Sequence, residues 1–99
     1  MSTTVQSVCD ALDAWAPPSL AYEWDRIGLH IGDPAASVDQ VLACLTVTRG
    51  VYEAARDLGA QMIVSHHPLI WNPLRTLEWD DPHTRLCLDL AQARIACFA

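Results

Sequence analysis

The sequence predicts an α/β fold: a mostly parallel sheet with helices packed on it, built as one domain over residues 1–99. Three observations carry that prediction. Val41 to Val47 and Gln61 to Ser65 are short, nearly uninterrupted apolar runs of the kind found in buried parallel strands. Segments with helical spacing alternate with those runs. Each such segment is bounded by recognisable start or stop residues.

The first element is a helix over residues 4 to 15. Val5, Val8, Cys9, Leu12 and Trp15 recur at helical intervals, Thr3 and Gln6 have the spacing of a capping box, and Pro17-Pro18 stops the run. Ile27 to Ile31 reads as a short strand broken by Gly28, closed by the turn residues Gly32-Asp33-Pro34. Val41 to Val47 follows as a strand expected to be covered on both faces. Thr48 can cap the next helix, whose buried stripe is Val51, Ala54, Ala55 and Leu58 and whose end is Gly59. Gln61 to Ser65 is the second buried strand. Asp81 caps a third helix with Pro82 at its first position, and Leu86, Cys87, Leu90 and Ala91 supply the apolar face. Ile95 to Phe98 is the last strand. Strand, helix, strand, helix, strand is the order of right-handed crossover units in a parallel sheet.

Composition narrows the function. An apolar share of 52% over 99 residues supports a folded core, and a formal charge of −6 repels phosphate backbones. The six basic residues, all arginine, lie scattered along the chain, so nucleic acid is not expected as a partner. No run approaches the roughly 18 apolar residues of a membrane span, and Met1-Ser2-Thr3-Thr4 has no leader-like pattern. A cytoplasmic protein without membrane attachment is expected. Cys9, Cys44, Cys87 and Cys97 form no C-x-x-C pair and sit among apolar neighbours, which predicts reduced core thiols. The last strand runs to Ala99 without a turn, cap or polar tail. That is the pattern expected of a chain cut off inside a longer fold.

Chemistry concentrates in Met62-Ile-Val-Ser-His-His-Pro-Leu-Ile-Trp71. A buried strand delivers His66 and His67 to its carboxyl end, where Pro68 biases His67 toward an extended backbone. Neighbours on a strand point to opposite faces, so the two would not ordinarily chelate one ion. At a strand end each can hold one of two adjacent ions, the arrangement that activates water in two-metal hydrolytic sites. Adjacent histidines at such a position also occur as plain surface or turn residues. For His30, in a strand, and His83, beside Asp80 and Asp81, packed or solvated roles are expected. Asp25 and Glu23 are the acidic candidates for further coordination, with a capping or salt-bridged role expected. Trp24, Trp71 and Trp79 can wall a pocket for a planar base, but core or interface packing is the stronger expectation.

At these residues a resemblance becomes specific. Ile63-Val-Ser-His-His-Pro-Leu-Ile resembles the signature of the NIF-three-like family, which includes GTP cyclohydrolase I type 2 homologues and dinuclear-metal hexameric proteins. Glu23-Trp-Asp-Arg-Ile-Gly-Leu, Ile31-Gly-Asp-Pro and Val41 to Thr48 resemble further family blocks in the same order. The resemblance runs from about Val5 to Ala99, and it implies that this chain is the N-terminal portion of the family fold. It also implies that His66 and His67 ligate different ions of a two-metal centre. The remaining ligands, an aspartate, a histidine and a glutamate, fall downstream of Ala99. The metals implied are divalent ions such as zinc, iron or manganese, and the assembly implied is a homo-oligomer, a hexamer in the family. Where the family commonly has aspartate in Leu45-Thr-Val-Thr, this chain has Thr46.

The activity implied is metal-dependent hydrolysis of a small-molecule substrate, and a chain with two of the ligands should be catalytically poor. A guanine nucleotide would need a phosphate cradle, and no glycine-rich loop of that kind is present. Two other readings stand beside the enzyme: a non-enzymatic metal-binding subunit of an oligomeric or partner-binding assembly, and an inactive truncated product.

Overall fold

Residues 3–17 and 26–99 are described by a computed structural model. The elements are α1 (Val5–Trp15), β1 (Leu29–Ile31), β2 (Val41–Cys44), α2 (Arg49–Leu58), β3 (Met62–Ser65), α3 (Pro82–Gln92) and β4 (Ala96–Phe98). The sheet order is β1-β4-β3-β2. β2 and β4 both run parallel to β3, and β1 pairs antiparallel with β4. The sheet is therefore mostly parallel, as the alternation of elements predicts.

Side-chain alternation on the strands divides the core into two layers. Met62, Ala96 and Phe98 pack with Val5 and Cys9 of α1 on one face. Ile63 and Cys97 pack with Tyr52 and Ala55 of α2 and with Leu86, Cys87 and Leu90 of α3 on the other. Helices thus cover both faces of β3 and β4, which is why these strands lack polar residues until Ser65.

The expectation for Val41 to Val47 requires correction. The strand ends at Cys44, and β2 is an edge strand rather than one covered on both faces. Leu42 and Cys44 pack against the α2–α3 layer, whereas Val41 is 45% exposed and Ala43 is exposed as well. An apolar run alone cannot distinguish a central strand from an edge strand with one open face. Val47 is buried, but as part of the connection into α2.

The caps explain the helix limits. At α1 the capping box is one residue later than Thr3 and Gln6 suggest: Ser7 N–H donates to Thr4 Oγ1 (3.1 Å), and Thr4 N–H donates to Ser7 Oγ (2.8 Å). Thr3 is held in an extended pairing instead, its carbonyl accepting Val38 N–H at 2.8 Å, and Gln6 reaches Asp10. Thr48 caps α2 by accepting Val51 N–H, and Gly59 ends it in the left-handed region at φ 70°. Asp81 Oδ1 accepts His83 N–H at 2.9 Å with Pro82 at the first helical position of α3.

Two further glycines shape the β1 edge. Gly28, at φ 111°, precedes β1 and exchanges backbone hydrogen bonds with Ala99, so the strand begins at Leu29 rather than Ile27. Gly32, at φ 136°, leaves β1 so close to β4 that a Cβ there would lie 2.6 Å from Ala96 Cβ. No helix among the described residues is long and apolar enough to cross a membrane.

Candidate metal centre

β3 is buried through Ser65, and the next two residues, His66 and His67, are exposed. Their backbone explains how they come together. His66 N–H donates to Cys44 O at 3.1 Å, and His67 N–H donates to Leu45 O at 2.9 Å. In a regular strand, consecutive N–H groups point to opposite neighbours. Here both point to the same side, toward the end of β2 and the residue that follows it, so the pleat has broken and the ordinary front-and-back alternation no longer applies. The two imidazoles consequently sit side by side, with ring centroids 5.2 Å apart and planes tilted by 45°.

The segment is fixed from several sides. Ser65 Oγ donates to His67 O at 2.6 Å, and Pro68 and Leu69 are buried behind the pair. Downstream, Ile70 N–H donates to His30 Nδ1 at 3.2 Å, and Arg26 Nε donates to Trp71 O at 2.9 Å. His30 therefore tacks the loop that follows the pair, consistent with the packed role expected of it.

The two rings face different surroundings. His66 borders a cleft of about 380 Å³ whose walls include Leu12 and Trp15 of α1, Ile27, Val64 and Phe98. His67 Nδ1 lies 3.2 Å from Thr46 Oγ1. The last pair of the parallel ladder, Cys44 with Ser65, brings the two chain segments out side by side, and the His67 N–H bond to Leu45 O sets the neighbouring Thr46 beside His67. Sequence reading singled out Thr46 only as a departure from a family pattern, because the pairing of the two runs was not yet known.

The donor set fits part of a metal site. Two exposed imidazoles on a braced rim at the carboxyl ends of parallel strands are suitable donors for divalent ions. Among the described residues no group of three or more His, Cys, Asp or Glu side chains could hold an ion. Glu23, Trp24 and Asp25 lie outside the described residues. His83 is exposed in the first turn of α3, where its N–H meets Asp81.

Trp71 and Trp79 join neither apolar core, so of the core or interface packing expected of them the core half does not hold. Trp71 is 44% exposed and borders a small cleft with Arg26, His30 and Asn72, while Trp79 is 62% exposed. All four cysteines are free, and burial pushes the Cys97 thiol up to about 12, so it is no nucleophile at neutral pH.

The arginines are less scattered in space than along the chain. Arg49 and Arg56 of α2 flank Tyr52, their guanidinium carbons 5.3 and 5.6 Å from its ring centroid. Arg85 of α3 borders the same cleft, and Asp89 accepts from Arg49 at 2.6 Å and from Arg85 at 3.1 Å. Helical periodicity on two adjacent helices brings these residues together. The Arg49 guanidinium, with Arg85, holds the Asp89 carboxyl below the usual carboxylate range.

The fold and the rim together define an α/β protein that presents a histidine pair where its parallel strands end. The match to the model of the Duf34/NIF3 (NGG1p interacting factor 3) family extends over residues 3–99, and the chain belongs to that family. It is 38% identical over 81 residues to a "GTP cyclohydrolase 1 type 2 homolog" of Halalkalibacterium halodurans, covering 82% of this chain and 22% of the relative. A protein of the same description from Lactococcus lactis is 36% identical over 86 residues, covering 87% of this chain and 34% of the relative. Among solved structures, a Bacillus cereus protein related to NIF3 superposes with a TM-score of 0.94 at 34% identity, covering all of this chain and 27% of that one. The chain thus spans between about a fifth and a third of the length of these relatives.

Proposed function

We propose that His66 and His67 are divalent-metal ligands and contribute part of a two-ion hydrolytic centre. The observation that carries this reading is the broken pleat after Ser65, which sets two exposed imidazoles side by side with both backbone N–H groups already bonded, to Cys44 and Leu45. Ordinary surface histidines have no need of such bracing. Pre-organised donors lose little freedom when they take a ligand.

A bound ion pair would polarise water and lower its pKa toward neutrality. The chain's own contribution is to position two imidazole rings and to border the rim with a cleft large enough for a small molecule. The relatives' description as GTP cyclohydrolase homologues favours a hydrolytic reaction on a small-molecule substrate. Zinc, iron and manganese all suit imidazole donors, and the further ligands select among them.

A second reading has its own observation. Trp15 is 86% exposed beside the cleft, and Leu45, just after the edge strand β2, is 63% exposed next to the histidine rim. Exposed apolar residues around the histidine pair suit a non-enzymatic metal-binding subunit in an oligomer, and the hexamer that the family resemblance implies belongs here. Elemental analysis after dialysis against zinc tests metal binding under either reading. Wild-type chain should retain metal that the double variant His66→Ala, His67→Ala loses; equal content in both would sink the proposal. Light scattering with and without zinc then separates the readings, since only the assembly subunit requires a defined oligomer in both conditions.

A further inference from the structure

We infer that Thr46 is a positioning residue for His67, holding the ring so that Nε2 is the nitrogen offered to a metal. The inference rests on the metal-binding reading above and adds the ligand atom and the group that selects it. Thr46 Oγ1 lies 3.2 Å from His67 Nδ1, so one ring nitrogen is already engaged by the protein. An imidazole that binds an ion through Nε2 must be neutral and carry its proton on Nδ1. That Nδ1–H then donates to the threonine oxygen, the outer-shell bond that commonly fixes the orientation of a metal-bound histidine.

The threonine can do this because its own backbone is held on both sides. The preceding carbonyl, Leu45 O, accepts His67 N–H, so the two residues are coupled through the main chain as well as the side chains. The following residue, Val47, is buried at 8% exposure, and Thr48 caps α2. Thr46 itself is exposed, so its hydroxyl is not needed to satisfy a buried group or fill the core. Its hydrogen bond to His67 is accordingly directed to the rim. His66 lines the cleft beside α1, whereas His67 is held by Thr46, so the two rings of the pair face different surroundings.

The test uses Thr46→Val, which keeps the shape and removes the hydroxyl, and Thr46→Ser, which keeps the hydroxyl. Long-range ¹H–¹⁵N correlation spectra of the metal-free chain at alkaline pH report which His67 nitrogen carries the proton. Wild type and Thr46→Ser should show the Nδ1–H form, and Thr46→Val should move toward the Nε2–H form. Zinc titration, read on the same ring signals, should be about tenfold weaker in Thr46→Val and restored in Thr46→Ser. An Nε2–H ring in the wild type, or equal ring signatures and equal zinc affinity in wild type and Thr46→Val, overturns the inference. If no form binds zinc while the ring signature still follows the hydroxyl, the metal reading fails and the positioning of His67 by Thr46 stands.

Discussion

Gly32→Ala should destabilise the protein by about 1–5 kcal/mol, and the magnitude can be built from two separable parts. The first is conformational: φ of 136° lies in a region that L side chains rarely adopt, which costs about 1–3 kcal/mol. The second is steric. The new Cβ would stand 2.6 Å from Ala96 Cβ and 3.0 Å from Ala96 Cα, whereas carbon atoms rest at roughly 3.5–4.0 Å. Ala96 belongs to the central parallel ladder and its Cα is backbone, so relief requires movement of a strand; such overpacking costs about 1–3 kcal/mol. Reduced freedom of the unfolded chain returns about 0.4–1 kcal/mol. Gly28→Ala is the internal control, since its φ of 111° carries the conformational part but nothing lies within 4 Å of the added carbon. Urea unfolding followed by circular dichroism would measure both variants. Gly32→Ala should be the less stable by about 1–3 kcal/mol at similar m, a difference that isolates the steric part. Equal stabilities would refute the reasoning, and a lower m for Gly32→Ala alone would mean that β1 has detached from β4 instead.

The other predictions concern side chains. Gln61 Oε1 accepts the N–H groups of Asp39 (2.7 Å) and Gln40 (3.0 Å), and its Nε2 donates to Gly59 O (2.6 Å), so Gln61→Ala should cost about 1–3 kcal/mol in urea unfolding. Because burial raises the Cys97 thiol from its usual 9.0 to about 12, its contribution to stability is fully present below pH 9 and is lost as pH rises toward 12. Denaturant midpoints should fall across that window, and iodoacetamide at pH 8 should label Cys97 only in urea. For Asp89 the sign is opposite: a depressed carboxyl pKa stabilises the fold above the unfolded value, and that contribution disappears as pH falls through the folded value. Asp89→Asn should therefore flatten the acid limb of stability against pH, with no change of limb arguing that the ion pairs of Asp89 with Arg49 and Arg85 are solvent-screened.

The legible parts of the fold were those governed by local chemistry. Thr48, Gly59, Asp81 and Pro82 act through neighbours within a few residues, and the helices they bound lie where their spacing predicts. The capping box of α1 fell one residue away because Thr3 pairs with Val38, a contact set by the tertiary structure. The exposure of β2 was hidden for a similar reason: hydrophobicity records what a strand can bury, whereas its place in the sheet depends on pairing. At the site, His66 and His67 stood out by residue type and position. Thr46 did not, because its role depends on the register that aligns Cys44 with Ser65. The arginines around Tyr52 likewise come together only once α2 and α3 lie side by side.

Donor number and donor placement act on different quantities at the histidine rim. Two imidazoles alone hold a divalent ion weakly, because affinity grows with the number of protein ligands that replace water. Placement is instead set by the backbone bonds to Cys44 and Leu45 and by the Thr46 contact, all of which are present before any ion binds. Weak absolute affinity is therefore expected of the histidine pair taken by itself. The informative quantity is the ratio between variants measured under one condition. Removing His67 should abolish its ion, whereas removing the Thr46 hydroxyl should weaken binding by about tenfold without displacing the backbone. A His66→Ala variant adds the complementary comparison: if His67 serves its own ion, Thr46→Val should weaken binding by the same factor with or without His66. A loss of the Thr46 effect in that background would mean that the two rings act on one ion together, and the assignment of separate ions would have to be abandoned.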